Sequence, residues 1–306
     1  MTDIVTVLMA TYNGAQYIEE QLKSLETQTW PSVDVVISDD GSTDRTLEIL
    51  EAFSRRWKKG RVTIARGPQA GFAENFRSLI NGADVRGPYV CFSDQDDIWR
   101  EEKLTEAVNW LAAQPIPMPA LFCGRTQLFP DPGRHSMSPP FSRPPVFRNA
   151  LVQSIAGANT MVMNRAAFEL LRTASARTSF ASHDWWTYLL VTGAGGRVFF
   201  SQVPYVLYRQ HEGNLVGANT TLSSRITRLR MLFNGRFRRW TDLNLAALDL
   251  CIDLLSDDNR KCLSTFRQAR DRSLHLRMLN LWRSGVYRQT VFGQASLYAA
   301  CMMRLL

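Results

Sequence analysis

The stretch Tyr89-Val90-Cys91-Phe92-Ser93-Asp94-Gln95-Asp96-Asp97-Ile98-Trp99 runs from an apolar segment of strand length into three carboxylates within four positions. Like charges this close raise one another's pKa unless a cation compensates. A hard divalent ion, Mg2+ or Mn2+, takes oxygen ligands and commonly bridges a few carboxylates to phosphate oxygens. In an extended turn Asp94 and Asp96 point to the same side, so both can face one ion or its nucleotide. Taken alone, the segment also reads as a solvated acidic turn that caps the helix expected over Glu101–Ala112.

Working outward, apolar runs rich in β-branched residues alternate with segments of helical spacing. Strands are expected at Ile4–Met9, Val33–Ser38, Val62–Ala65 and Tyr89–Phe92. Helices are expected at Tyr17–Leu25, Thr43–Trp57 (with Ser42 as its cap), Phe72–Asn81 and Glu101–Ala112. Strand and helix alternating with short connections predict a mostly parallel, doubly wound α/β sheet. In such a sheet ligands bind beyond the C-terminal ends of the strands. Three strands discharge there into polar segments: Thr11-Tyr12-Asn13-Gly14, Asp39-Asp40-Gly41-Ser42 and Ser93-Asp94-Gln95-Asp96-Asp97. Their convergence on one rim is stronger evidence for a site than any one of them. Further on, strands are expected at Ala120–Thr126, Thr160–Met163 and Arg197–Gln202, helices at Ala166–Arg172 and His183–Val191, and a mobile Pro-rich loop around Asp131–Pro145.

The 306 residues suffice for one large domain with a helical appendage, and the apolar and charged fractions of 45% and 21% are those of a globular protein. The net charge of +8 is unevenly placed: residues 221–306 carry 15 Lys and Arg against 6 Asp and Glu. Within this basic third, Leu222, Ile226, Leu229, Phe233, Phe237 and Trp240 fall on one helical face. A localised basic block predicts an anionic surface as partner. Its arginines lack regular aromatic interleaving and show no helix-turn-helix or zinc spacing, which argues against nucleic acid. An amphipathic, Arg-bearing helix lying on anionic lipid fits better, as does a helical cap with a solvated Arg face. The five cysteines have no CxxC spacing and read as reduced core thiols of a cytosolic protein. The N-terminus reads as a buried strand rather than a signal peptide, and no stretch reaches the roughly 18 apolar residues of a spanning helix.

Ala10-Thr11-Tyr12-Asn13-Gly14, Asp39-Asp40-Gly41-Ser42-Thr43-Asp44 and Asp94-Gln95-Asp96-Asp97 together resemble family 2 glycosyltransferases of the GT-A fold. The form Phe92-Ser93-Asp94-Gln95-Asp96-Asp97-Ile98-Trp99 is similar to bacterial rhamnosyltransferases. The resemblance covers roughly residues 3–217 and implies a nucleotide-sugar-binding catalytic domain over 1–217, followed by a helical, basic region over 218–306. It implies that Thr11, Tyr12 and Asn13 line the nucleotide pocket and that Asp40, with Asp39 beside it, accepts a hydrogen bond from a pyrimidine N–H. Gly71 and Asn75 match a helix that lines the donor pocket. Gln95 joins the nucleotide-sugar contacts, Asp94 reaches the ribose or the metal, and Asp96 holds the metal on the diphosphate.

Ser182-His183-Asp184-Trp185-Trp186 is a second cluster. Inverting sugar transfer needs a base for the acceptor hydroxyl, and a partly desolvated carboxylate at a helix start suits that task. Asp184 is the expected base; the plain alternative is that it only caps its helix. His183 stands where the family commonly has Glu, as in the rhamnosyltransferase-like branch. Trp185 and Trp186 are either an acceptor platform or core. Asn159, in Gly157-Ala158-Asn159-Thr160, resembles an acceptor-side turn. Tyr208-Arg209-Gln210-His211 matches a segment that closes over the donor, with Arg209 and His211 meeting diphosphate oxygens. The downstream Gln-x-x-Arg-Trp motif of processive synthases is not found.

The expected activity is thus transfer of a sugar, dTDP-rhamnose being the preferred donor and UDP-hexoses open, onto a glycan or lipid-linked acceptor of the cell surface with a divalent metal as cofactor. A nucleotidyltransferase is the next reading, but residues 10–16 hold one Gly and no Lys or Arg with which to cradle a triphosphate. A non-catalytic binding module is the third.

Overall fold

Strands β1 (Val5–Thr11), β2 (Val33–Asp39) and β4 (Tyr89–Ser93) are buried almost throughout, which is what strands covered by helices on both faces require. The computed structural model describes residues 3–129, 136–210 and 236–306. β1 pairs in parallel with β2 and β4, and β2 with β3 (Val62–Arg66). This is the doubly wound half that the alternation predicts. The other half is mixed. β7 (Val162–Asn164) runs antiparallel to both β4 and β6 (Ala120–Phe129), β6 is parallel to β8 (Arg197–Arg209), and the short β5 (Ile98–Trp99) lies antiparallel on β8. The order across the eight strands is β3-β2-β1-β4-β7-β6-β8-β5.

The pleat sends successive side chains of β1 to opposite faces. Val5, Val7 and Met9 enter a core with α1 (Ile18–Glu26), α2 (Thr46–Arg56) and α4 (Lys103–Ala112). Leu8 enters the other core, with α3 (Phe72–Gly82), α5 (Phe147–Ala150), α6 (Arg165–Arg177) and α7 (His183–Gly193). Register then aligns the strand ends: Thr11 sits opposite Asp39 and Met9 opposite Ser93. The three polar segments therefore leave the sheet side by side.

Two local expectations change. Helix α2 begins at Thr46 and Ser42 does not cap it. Ser42 Oγ is drawn instead to Asp39, while Asp44 accepts from the Thr46 amide at 3.0 Å. The Pro-rich loop is partly tied down: Leu128 N donates to Ser136 O at 2.8 Å and Ser138 N to Thr126 O at 2.9 Å.

The basic C-terminal region is helical, with α8 (Arg236–Leu250), α9 (Asp257–Asp271), α10 (Leu274–Ser284) and α11 (Val291–Met302). It shares a core with the sheet-bearing body, in which Leu248, Phe266, Leu281 and Leu297 join Phe147, Trp185 and Leu189. Of the amphipathic stripe, Leu222, Ile226, Leu229 and Phe233 lie outside the described residues. Phe237 stacks on Trp185 at 6.3 Å and Trp240 lies tilted at the same distance, so this end of the stripe faces inward. All five cysteines are free and buried. Among the described residues no helix is long and apolar enough to cross a membrane.

Candidate active site

The β1–α1 loop is shaped by its neighbours on the rim. Thr11 Oγ1 donates to Asp39 Oδ2 at 2.8 Å. Asp39 also accepts from the amides of Gly41 and Ser42 and from Ser42 Oγ. A buried carboxylate must be satisfied in this way, and here its role is to fold the β2–α2 turn. Asn13 takes a left-handed φ of 47°, which Asn tolerates better than most residues. Its amide donates to Ser42 Oγ and its Oδ1 accepts from Thr43 N. The carboxamide of Gln95 reaches across from the β4 exit and grips the Tyr12 backbone twice: Tyr12 N donates to Oε1 at 2.8 Å and Gln95 Nε2 donates to Tyr12 O at 3.0 Å. With its backbone held, Tyr12 presents a ring that is 57% exposed, an open apolar face for a planar base.

Asp40 is more enclosed than a free base-recognising carboxylate. One oxygen accepts from Gln69 N and the other from Gly71 N, so its structural work is to hold the β3–α3 turn. Gly71 has φ 87° and open space where a Cβ would stand; the residue is chosen by backbone conformation alone. Gly67 is chosen by space, since a Cβ there would come within 2.8 Å of both Asn75 Oδ1 and Asp40 Oδ1. Asn75 donates to Ser38 O at 3.0 Å, while its buried Oδ1 has no protein partner.

At the β4 exit Asp94, Asp96 and Asp97 divide their labour. Asp97 is buried: Oδ2 accepts from Asn159 Nδ2 and Oδ1 from the Arg209 amide at 3.2 Å. Asp94 and Asp96 are half-buried toward the rim. Burial, then the charges of Asp97, Asp96 and Asp184, push the Asp94 carboxyl well above the ordinary carboxylate range, with partial relief from Lys103. Burial and Asp96 push Asp97 up as well, against the Asn159 and Arg209 hydrogen bonds. Such crowding is relieved by a cation. Among the described residues no group of three or more His, Cys, Asp and Glu side chains is arranged to hold a metal ion. Asp94 and Asp96 supply two hard oxygen donors, which fits an ion that takes its remaining oxygens from a diphosphate and water.

Lys103 was not among the expected site residues. Only 1% exposed, it sends Nζ to Asn159 O at 2.7 Å and over the Trp99 ring at 2.9 Å from the centroid. Burial pushes its ammonium pKa down. Its signal in the sequence is faint: a lysine on the face of α4 shared with Ala107 and Leu111, where an apolar residue is the ordinary choice.

The structure corrects the role expected of Asn159 and decides between the two readings of Trp185 and Trp186. Asn159 is no acceptor contact: it is 3% exposed and braces Asp97. Trp185 and Trp186 are core, 5% and 0% exposed, with Trp185 Nε1 donating to Ala150 O; two large indoles at successive helical positions find more apolar area inside than on the rim. Arg209 is buried, 8% exposed, and held by protein groups. Its guanidinium lies between the Tyr17 and Phe129 rings, donates to Asp96 O at 2.8 Å and pairs with Glu20 at 2.6 Å. It thereby fastens the carboxylate loop to β8. His211 lies outside the described residues.

Asp184 lies in the first turn of α7, half-buried, and its Oδ1 accepts from Trp185 N at 2.7 Å. Burial raises its pKa, against hydrogen bonds from Ser182 and the helix amides. Its charge adds to the crowding that raises Asp94. His183 is buried, stacked on Phe76 at 3.8 Å with Phe92 edge-on at 5.0 Å, and both ring nitrogens are without partners.

The chain matches the family model "Glycosyl transferase family 2" over residues 6–171. It is 30% identical to the dTDP-rhamnosyl transferase RfbG of Shigella flexneri over 237 residues, 76% of this chain and 81% of that protein. Its fold resembles residues 1–349 of TarS from S. aureus, solved with UDP (TM-score 0.58, 16% identity, 99% of this chain and 88% of that one). It also resembles the mannosyltransferase PcManGT of Pyrobaculum calidifontis, solved with GDP-Man and Mn2+ (TM-score 0.51, 19% identity, 100% and 86%). The fold is GT-A, and with the rim geometry and the match over most of the sheet, the chain belongs to glycosyl transferase family 2 and is a glycosyltransferase.

Proposed function

We propose that the enzyme moves one sugar, with inversion, from a nucleotide-sugar donor onto a lipid-linked or polysaccharide acceptor during the building of a cell-surface glycan, dTDP-rhamnose being the preferred donor. The observation that carries this is the crowding of Asp94, Asp96 and Asp97 at the end of the parallel strand β4, to which the charge of Asp184 adds at Asp94. In the proposed complex the base lies against Tyr12 between the Asn13 and Asp40 turns. Asp94 and Asp96 hold a divalent ion, Mn2+ or Mg2+, which when bound neutralises charge on the diphosphate leaving group. Asp184 takes the proton of the acceptor hydroxyl as it attacks the anomeric carbon. Its raised pKa brings its basicity toward neutrality, where a general base is most effective. Arg209, Asn159 and Lys103 keep the carboxylate loop in place. Residues 1–217 form the catalytic unit and 218–306 the basic helical unit, which meets the cytoplasmic face of the membrane. The rhamnose reading rests on the similarity to the Shigella enzyme.

Calorimetric titration with dTDP and with UDP, each with and without Mn2+, tests the donor class. Metal-dependent binding of dTDP at least tenfold tighter than UDP is the expected result. The reverse preference means a UDP-hexose donor, and no binding of either removes both of these donor classes.

A further inference from the structure

Helices α10 and α11 turn their inner faces to the shared core. Arg277, Asn280, Leu281 and Ser284 are buried on α10, and Leu297, Ala300 and Cys301 on α11. The two helices are neighbours, joined by the Arg277 Nη2 to Met302 O bond of 2.9 Å. Each helix leaves its other face to solvent. On α10 that face carries Leu276, Leu279 and Trp282, the last 69% exposed. At 100° per residue these three and the exposed Arg283 fall within an arc of about 120°, and the exposed Arg272 stands in the extended turn just before the helix. On α11 it carries Val291 and Phe292, 90% and 60% exposed, and Met302. No charged residue occurs in Val291–Met302. Scattered apolar side chains on a surface need no explanation, but a run over two adjacent helices does.

Charge indicates what covers it. From Arg272 to Leu306 the chain has five arginines and no Asp or Glu. A face of Leu, Val, Phe and Trp bordered by arginine, with no acid on either helix and Asp271 the nearest in sequence, complements an anionic lipid surface. The apolar groups enter the headgroup boundary, Trp282 lies at its level, and the arginines meet the phosphates. A helix of 12 residues is about 18 Å long, too short for a hydrocarbon core of about 30 Å. It would lie in the interface and not cross it.

We infer that the outer face of α10 and α11 is a monotopic docking surface for anionic lipid bilayer, with Trp282, Val291 and Phe292 as its inserted anchors and Arg272 and Arg283 as its phosphate contacts. This deepens the proposed membrane contact and places its apolar anchor on the last two helices, since Phe237 and Trp240 at the described end of the stripe face the core.

Sedimentation of the full chain with mixed phosphatidylglycerol–phosphatidylcholine vesicles, and with phosphatidylcholine alone, tests it. Binding to the mixed vesicles is expected to be at least about tenfold tighter. Val291→Glu with Phe292→Glu is expected to lower it about tenfold or more. Arg272→Gln with Arg283→Gln should lower it and flatten its dependence on salt. All four positions are exposed, and unchanged thermal unfolding checks that the variants fold. Binding indifferent to the glutamates overturns the proposal. So does absence of vesicle binding together with a dimer, seen by light scattering, that the glutamates dissociate; that result assigns the face to a second copy. Nucleotide affinity of the same variants separates the two readings: vesicle docking without nucleotide binding removes the donor reading and leaves the face.

Discussion

Asp184 and His183 are adjacent in sequence, yet the fold puts them in opposite environments. Asp184 faces the rim with its pKa raised by burial. Asp184→Asn keeps the shape and removes the proton acceptor. We expect kcat to fall about 100- to 10,000-fold, with donor affinity within about twofold of wild type by calorimetry; a large loss of affinity would place the residue in donor binding instead. His183 packs between Phe76 and Phe92, and burial pushes its pKa down to about 3. The unfolded chain therefore binds a proton at this residue below about pH 6.5 that the folded chain refuses until about pH 3. Stability from this group is complete above pH 6.5 and is lost as pH falls through that window, about 2 kcal/mol by pH 5. His183→Phe, which keeps an aromatic in the stack, is expected to flatten this part of the stability curve. Chemical denaturation at pH 7.5 and pH 5 reads the difference, and an unchanged slope would show that His183 is already charged.

At the scale of elements, the site is made by loops that clasp one another more than by any single motif. The Asn13, Ser42 and Thr43 bonds join the first two loops, and Gln95 joins the third to the first. Gln95→Ala removes both grips on the Tyr12 backbone while leaving all the carboxylates. We expect nucleotide affinity to fall about fivefold to tenfold, as for loss of two partly exposed hydrogen bonds, with kcat nearly unchanged. An equal fall in kcat would mean that Gln95 touches the reacting groups. The mutual clasp also explains why Ser42 fails as a helix cap: its hydroxyl is spent between Asp39 and Asn13.

Across the whole molecule, the C-terminal helices extend the core that holds α7 and hence Asp184. Phe266 is fully buried in that core, far along the chain from the rim. Phe266→Ala is expected to cost about 3–5 kcal/mol and to lower the midpoint of unfolding by about 5–8 °C. Because one core serves both regions, calorimetry should show a single transition that moves as a unit. Two transitions, of which only one shifts, would mean that the C-terminal helices unfold independently.

Much of this was legible in the chain. The alternation of apolar runs and helical spacing determined the parallel half of the sheet, because short-range periodicity is what parallel βαβ units are made of. The polar exits of β1, β2 and β4 determined the rim for the same reason. What only the tertiary structure decided are matters of contact between distant segments. Lys103, an ordinary residue in sequence, became a buried cation because α4 packs it beside Asn159 and Trp99. Trp185 and Trp186 went to the core because α7 is covered on its far side by helices from the C-terminal third, which no local pattern announces. Arg209 became a fastener because β8 returns beside the carboxylate loop, where Glu20 and two aromatic rings offer its guanidinium better company than water.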